Sequence, residues 1–186
     1  MPPTGDIASL VRDMLPMLGD DPDREGLNRT PERVEKALRF LTEGYHKKVD
    51  DIVNGALFSV EYDEMVVVRD IEFFSLCEHH MLPFYGKIHV AYLPKDKVIG
   101  LSKIPRIVDM FSRRLQVQER LTQQVARILK DAIDAEGVGV VMGGTIRPRS
   151  AWCEGGCRDL EPPYTDVLRM SKKSIRYLLY IRCTTM

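Results

Sequence analysis

The feature that most constrains this chain is a pair of strand-like stretches with a cluster of metal-ligand residue types between them. Glu64-Met-Val-Val-Val-Arg-Asp-Ile71 is β-branched and bounded by charge, which suits a pleated, half-buried surface. Gly86-Lys-Ile-His-Val-Ala-Tyr-Leu93 sets Ile88, Val90 and Tyr92 against Lys87, His89 and Ala91, the period-2 pattern of a strand with one buried face. Pro94-Lys-Asp-Lys97 then makes a turn. His89, on the polar face, is expected to be structural. Between the strands runs Phe74-Ser-Leu-Cys-Glu-His-His-Met-Leu-Pro-Phe84. A tight turn there is held by sheet at both ends, a rigid place for a site. Cys77 and His80 stand close enough to share one ion, and zinc favours such a thiol and imidazole mixture. His79 points elsewhere and is free for proton transfer, a task imidazole suits at neutral pH. Two ligands are not a site, however. A surface turn with a buried cysteine and histidines satisfied by backbone groups fits the spacing equally well.

Helices are expected on either side. Over residues 6–18, Ile7, Leu10, Val11, Met14 and Leu15 recur at helical spacing, with Pro16 ending or kinking the pattern. Gly19–Asp23 reads as a turn. Thr30-Pro31 signals a cap followed by a first-turn proline, ahead of Val34, Ala37, Leu38 and Leu41. Ile104, Ile107, Val108 and Phe111 form one later stripe. After a break near Leu115–Gln118, a second stripe comprises Leu121, Val125, Ile128, Leu129, Ala132 and Ile133. Both are expected to pack on the sheet. Gly137-Val-Gly-Val-Val-Met142 returns to strand composition. With no internal repeat or low-complexity linker, the 186 residues read as a single domain: a helical N-terminal part over 1–60, a core over 61–142 and a tail over 143–186.

Lys plus Arg and Asp plus Glu both number 27, so the total charge carries no nucleic-acid or membrane footprint. No apolar run approaches the roughly 20 residues that span a bilayer. Four cysteines without a signal-like apolar N-terminus point to a reducing, cytoplasmic setting in which thiols serve as ligands. The charge is uneven: from Gly143 onward there are eight Lys/Arg against four Asp/Glu.

Cys77-Glu-His-His80, followed by Gly100-Leu-Ser-Lys103, Arg106 and Gln116-Val-Gln-Glu-Arg-Leu121, resembles the GTP cyclohydrolase I family. The resemblance is dense from about Leu27 to Met142. It implies an α+β tunnelling fold (T-fold): N-terminal helices, then an antiparallel sheet backed by two helices. The implied activity is zinc-dependent opening of the guanine ring of GTP to 7,8-dihydroneopterin triphosphate and formate, in tetrahydrofolate or pterin synthesis. Cys77 and His80 match the family's metal ligands and His79 its proton-transfer histidine. Glu119, preceded by Gln118, matches the position that receives guanine, where a carboxylate accepts the N1–H and 2-NH₂ donors together and so rejects adenine. Ser102, Lys103 and Arg106 correspond to triphosphate contacts, with Gly100 allowing close backbone approach. Arg33 and Lys36 match a further basic pattern that begins at Thr30-Pro31. Alone, these basic residues and Glu119 would be solvated helix-surface charges; their fixed order along the chain argues otherwise. The resemblance also implies a homo-oligomer, a ten-subunit toroid with sites shared between neighbours.

The resemblance stops after Met142. There the family carries His-x-Cys, the cysteine being its third zinc ligand, and then Arg-Gly. Counting without gaps puts Ile146 and Pro148 at those two positions. The chain offers Cys153 and Cys157 instead, and no histidine from Gly143 to its end. Three accounts stand side by side. A tail cysteine completes the zinc site after a local shift; or the protein is a non-catalytic nucleotide-binding subunit or regulator; or the tail reflects a changed reading frame. For the last, back-translating Ser150-Ala-Trp-Cys-Glu-Gly155 and starting two bases later permits Cys-Met-Val-Arg-Gly. A related T-fold enzyme acting on another purine or pterin is kept open by Glu119, while Cys77-Glu-His-His80 argues against the metal-free relatives.

Overall fold

A computed structural model describes residues 6–61 and 64–145. The chain divides into two compact units, one up to Glu43 and one from Gly44 onward.

The first unit is a helical hairpin of α1 (Ile7–Met17) and α2 (Thr30–Leu41). Asp6 caps α1 by accepting the Ala8 N–H at 3.3 Å. Glu35 of α2 accepts the same N–H at 3.1 Å, which pins the two helices together. Val11 and Leu15 are the buried residues of α1. Pro16 lies inside the last turn and α1 runs one residue past it, ending at the Leu18 cap. Thr30 is not the cap of α2 but its first helical residue, and Arg29 occupies the cap without a side-chain hydrogen bond. The Thr30 N–H donates to the Leu27 carbonyl at 2.9 Å, and Pro31, the second helical residue, has no N–H for a capping oxygen to accept.

The second unit is built on a four-stranded sheet in the order β5-β2-β3-β6. Its strands are β2 (Val66–Cys77), β3 (Pro83–Leu93), β5 (Leu115–Gln116) and β6 (Gly137–Thr145). β3 pairs antiparallel with both β2 and β6, and the short β5 pairs parallel to β2 through Leu76↔Leu115 and Cys77↔Gln116. Two helices, α4 (Lys103–Ser112) and α5 (Gln118–Ile133), supply the expected stripes. Ile104, Ile107 and Val108 of α4, and Leu121, Val125, Leu129 and Ile133 of α5, are almost fully excluded from solvent. They join Phe73, Ile88, Val90 and Val140 of the sheet in one core cluster. Each such aliphatic side chain contributes about 1.5–3 kcal/mol over its exposed state, which holds α5 and the sheet in fixed relation.

Several short elements were not expected, among them β5, which falls where the sequence reads as a break between helices. A five-residue helix α3 (Val49–Val53) precedes β1 (Leu57–Ser59), which pairs antiparallel with β4 (Lys97–Ile99). Each is too short to show a period. The expected alternation in β3 also fails in part, because His89 and Ala91 are buried along with their neighbours. Opposite His89 lies a bulge in β2 between Val68 and Ile71, where Asp70 takes a left-handed φ of 57°. The bulge turns the Asp70 N–H onto His89 Nδ1 at 3.1 Å. His89 is therefore structural, as its strand position suggested. Burial holds its pKa below the ordinary imidazole value, with the Asp70 carboxylate opposing.

Candidate active site

The two strands flanking the ligand cluster extend further than their composition suggested, and Cys77 is the last residue of β2 rather than part of the turn. It is buried. The turn begins at Glu78 and closes through two backbone bonds of 2.8 Å, Met81 N–H to the Cys77 carbonyl and Cys77 N–H to the Leu82 carbonyl. Met81 adopts a left-handed φ of 55° to complete it. His79 and His80 are exposed, with their rings nearly perpendicular and 6.2 Å apart. A buried thiol and an exposed imidazole thus bracket this turn. As donors the pair suits zinc. Among the described residues no third His, Cys, Asp or Glu joins them to form a metal-holding group. Cys153 and Cys157 lie outside the described residues, as do Ile146 and Pro148 and the question of reading frame.

The same turn is fastened to the start of α5. The Glu78 N–H donates to the Gln116 carbonyl at 3.0 Å. Gln116 is buried, and its Nε2 donates to the Phe111 carbonyl at 2.9 Å and to Gln124 Oε1 at 2.8 Å. Gln118 and Glu119 follow in the first turn of α5. Glu119 is exposed, while the Gln118 Oε1 atom is buried without a hydrogen-bond partner among the described residues. Arg120 reaches back to Glu78 with both terminal nitrogens, one to each carboxylate oxygen, with Nη2–Oε1 at 2.9 Å. The guanidinium holds the Glu78 pKa below the ordinary carboxylate value. No spacing in the sequence signals this pair, whose members stand 42 residues apart.

Ser102, Lys103 and Arg106 lie at the start of α4. Ser102 makes no side-chain cap bond there, and Ser102 and Arg106 are exposed. The Lys103 N–H is taken by the Gly100 carbonyl at 2.8 Å. A Cβ at Gly100 would come no closer than 3.6 Å to a neighbour, so the chain itself does not demand glycine at this position. Arg33 and Lys36 lie on α2, in the first unit. The structure thus joins the Cys77–His80 turn to Gln118 and Glu119, with the α4 cluster on a neighbouring helix of the same unit.

A mainly antiparallel sheet, with the short β5 added parallel at one edge and two helices packed behind it, defines an α+β T-fold domain. The family model for GTP cyclohydrolase I matches residues 7–146, and this chain belongs to that family. It is 59% identical over 139 residues to a GTP cyclohydrolase 1 of Synechococcus sp., covering 75% of this chain and 61% of that protein. It is 58% identical over 134 residues to one of Leptospira biflexa, covering 72% of this chain and 73% of that protein. The chain therefore spans less than two thirds of the Synechococcus relative's length. Among solved structures it is similar to the apo form of an archaeosine synthase QueF-Like, with TM-score 0.42 and 19% identity over 45% of this chain and 82% of that one. No helix among the described residues is long and apolar enough to cross a membrane.

Proposed function

We propose that this chain catalyses the GTP cyclohydrolase I reaction, opening the guanine ring of GTP to give 7,8-dihydroneopterin triphosphate and formate. What supports the reading is one arrangement within a chain of that family: a Cys and His turn tied by hydrogen bonds to the helix that carries Glu119. Glu119 accepts the guanine N1–H and 2-NH₂ donors, and the half-buried Gln118 beside it offers a further amide contact. Ser102, Lys103 and Arg106, with Arg33 and Lys36, bind the triphosphate, the guanidinium groups offering paired donors to phosphate oxygens. Exposed His79 transfers the proton. Cys77 and His80 would hold Zn²⁺, the third ligand coming from Cys153, from Cys157 or from neither. When bound, zinc supplies a water acidified toward neutral pH for hydrolysis at C8 of the base. The helical part over 1–60, the core over 61–142 and the tail over 143–186 act as one domain, assembled into a cytoplasmic homo-oligomer of the toroidal kind, without nucleic-acid or membrane partners.

The test is zinc per chain and formate released from GTP, measured on the full-length protein purified without added metal. Near-stoichiometric zinc with formate release is the expected result. GTP binding without formate release would select the second reading, a non-catalytic nucleotide-binding subunit. That reading draws on one observation: the described residues supply only Cys77 and His80 toward the metal.

A further inference from the structure

Glu78 and Arg120 have no part in the chemistry just described, yet they connect its two halves. Glu78 lies between Cys77 and His79; Arg120 directly follows Glu119. Their side chains meet in a bidentate pair, both carboxylate oxygens against both terminal guanidinium nitrogens. The Glu78 backbone N–H is bound separately to the Gln116 carbonyl at 3.0 Å. One residue of the turn is thus held by main chain and side chain together to consecutive parts of the β5–α5 segment. The Glu78 side chain is 25% exposed and that of Arg120 47%, so solvent screens their attraction and the pair adds little to global stability. A planar fork of this kind instead fixes distance and angle, which an ammonium group cannot do.

We propose that Arg120 is a positioning residue: its grip on Glu78 sets the Cys77–His80 turn at one distance and angle from Glu119. This deepens the proposed function, since it matters to catalysis only if a base held by Glu119 must meet His79 and the metal pair. A displacement of about 1 Å between a bound substrate and its catalytic groups costs on the order of 10²-fold in rate. Arg120 does not touch the substrate in this account, so its loss acts on turnover rather than on binding.

The experiment compares the full-length wild type with Arg120→Met, Arg120→Lys, Glu78→Gln and the double variant Glu78→Gln/Arg120→Met. Each single variant is expected to lower kcat for GTP by about 10- to 100-fold with KM nearly unchanged. Lysine should not rescue, and the double variant should be no worse than the poorer single one, because each residue acts through the other. The thermal midpoint should move by no more than about 2–4 °C. Independently of turnover, amide hydrogen exchange in the 77–82 turn should quicken by roughly tenfold in Arg120→Met, while exchange in α4 stays at the wild-type rate. Unchanged exchange in the turn, full activity in Arg120→Lys, or losses that multiply in the double variant would each overturn the proposal. If the wild type releases no formate, the proposed function fails instead, and the exchange comparison still decides whether Arg120 holds the turn.

Discussion

Gly44 offers the sharpest test of how the scaffold holds the site. It sits in a 3₁₀ turn, Glu43–Tyr45, against the C-terminal end of α4. A Cβ built on Gly44 would lie 1.9 Å from the Met110 carbonyl oxygen and 2.7 Å from the Arg113 oxygen. Both obstacles are backbone, so no side-chain rotation relieves them. The Gly44 N–H donates to the Arg113 carbonyl at 3.0 Å, and the Gly44 carbonyl accepts from Arg114 Nε at 3.1 Å. Arg114 in turn lies 4.6 Å from the Phe111 ring centre and 5.6 Å from that of Tyr45. Gly44→Ala must push this turn off α4. Overpacking costs typically about 1–3 kcal/mol, and each hydrogen bond lost adds roughly 1 kcal/mol. With both bonds lost the expected destabilisation is about 3–5 kcal/mol, or a fall of roughly 6–20 °C in thermal midpoint for a chain of this size. Urea and thermal unfolding followed by circular dichroism measure it directly. A loss under about 1 kcal/mol would refute the packing account, because it would mean that α4 and the turn separate freely.

Other consequences follow from single side chains. Glu119→Ala should lower kcat/KM for GTP by at least about 10²-fold while leaving thermal stability near wild type, since the residue is exposed; formate release against a melting curve checks both halves. Cys77→Ala and His80→Ala should each yield protein with little retained zinc after dialysis against a chelator, as metal analysis would show, whereas His79→Ala should keep its metal and lose turnover. His89 gives a pH dependence. Its folded pKa is held below the ordinary value, so the unfolded chain takes up its proton first. Stability is full above about pH 6.5 and declines as pH falls toward the folded value. Urea midpoints at pH 7.5 and 5.5 should show this decline, and His89→Gln should flatten it. An unchanged slope in that variant would mean that another group titrates there.

Much of this protein was legible in its residues. The core faces of α4 and α5 follow from 3.6-residue spacing, because Ile104, Ile107 and Val108, and likewise Leu121, Val125, Ile128 and Leu129, mix odd and even spacings that share a side only on a helix. The turn at Glu78–Met81 between two strands follows from β-branched runs that need a pleated surface to bury. The ordered motifs pointed to the family that the comparisons identify. Residue types and spacing carry such information because helix and strand periods are local. The rest is set by contacts distant in sequence. Glu78 and Arg120 meet only because β5 lies parallel to β2 and delivers α5 beside the turn. The buried His89 finds a hydrogen-bond donor because a one-residue bulge at Asp70 turns a backbone N–H onto it. The pairing of β1 with β4 depends on main-chain bonds that any sequence of that length could make. Gly44 is fixed by the carbonyls of a helix more than sixty residues away. Local periodicity determined the elements and their buried faces; register, bulge and the side-chain clamp across the site were decided only when the sheet assembled.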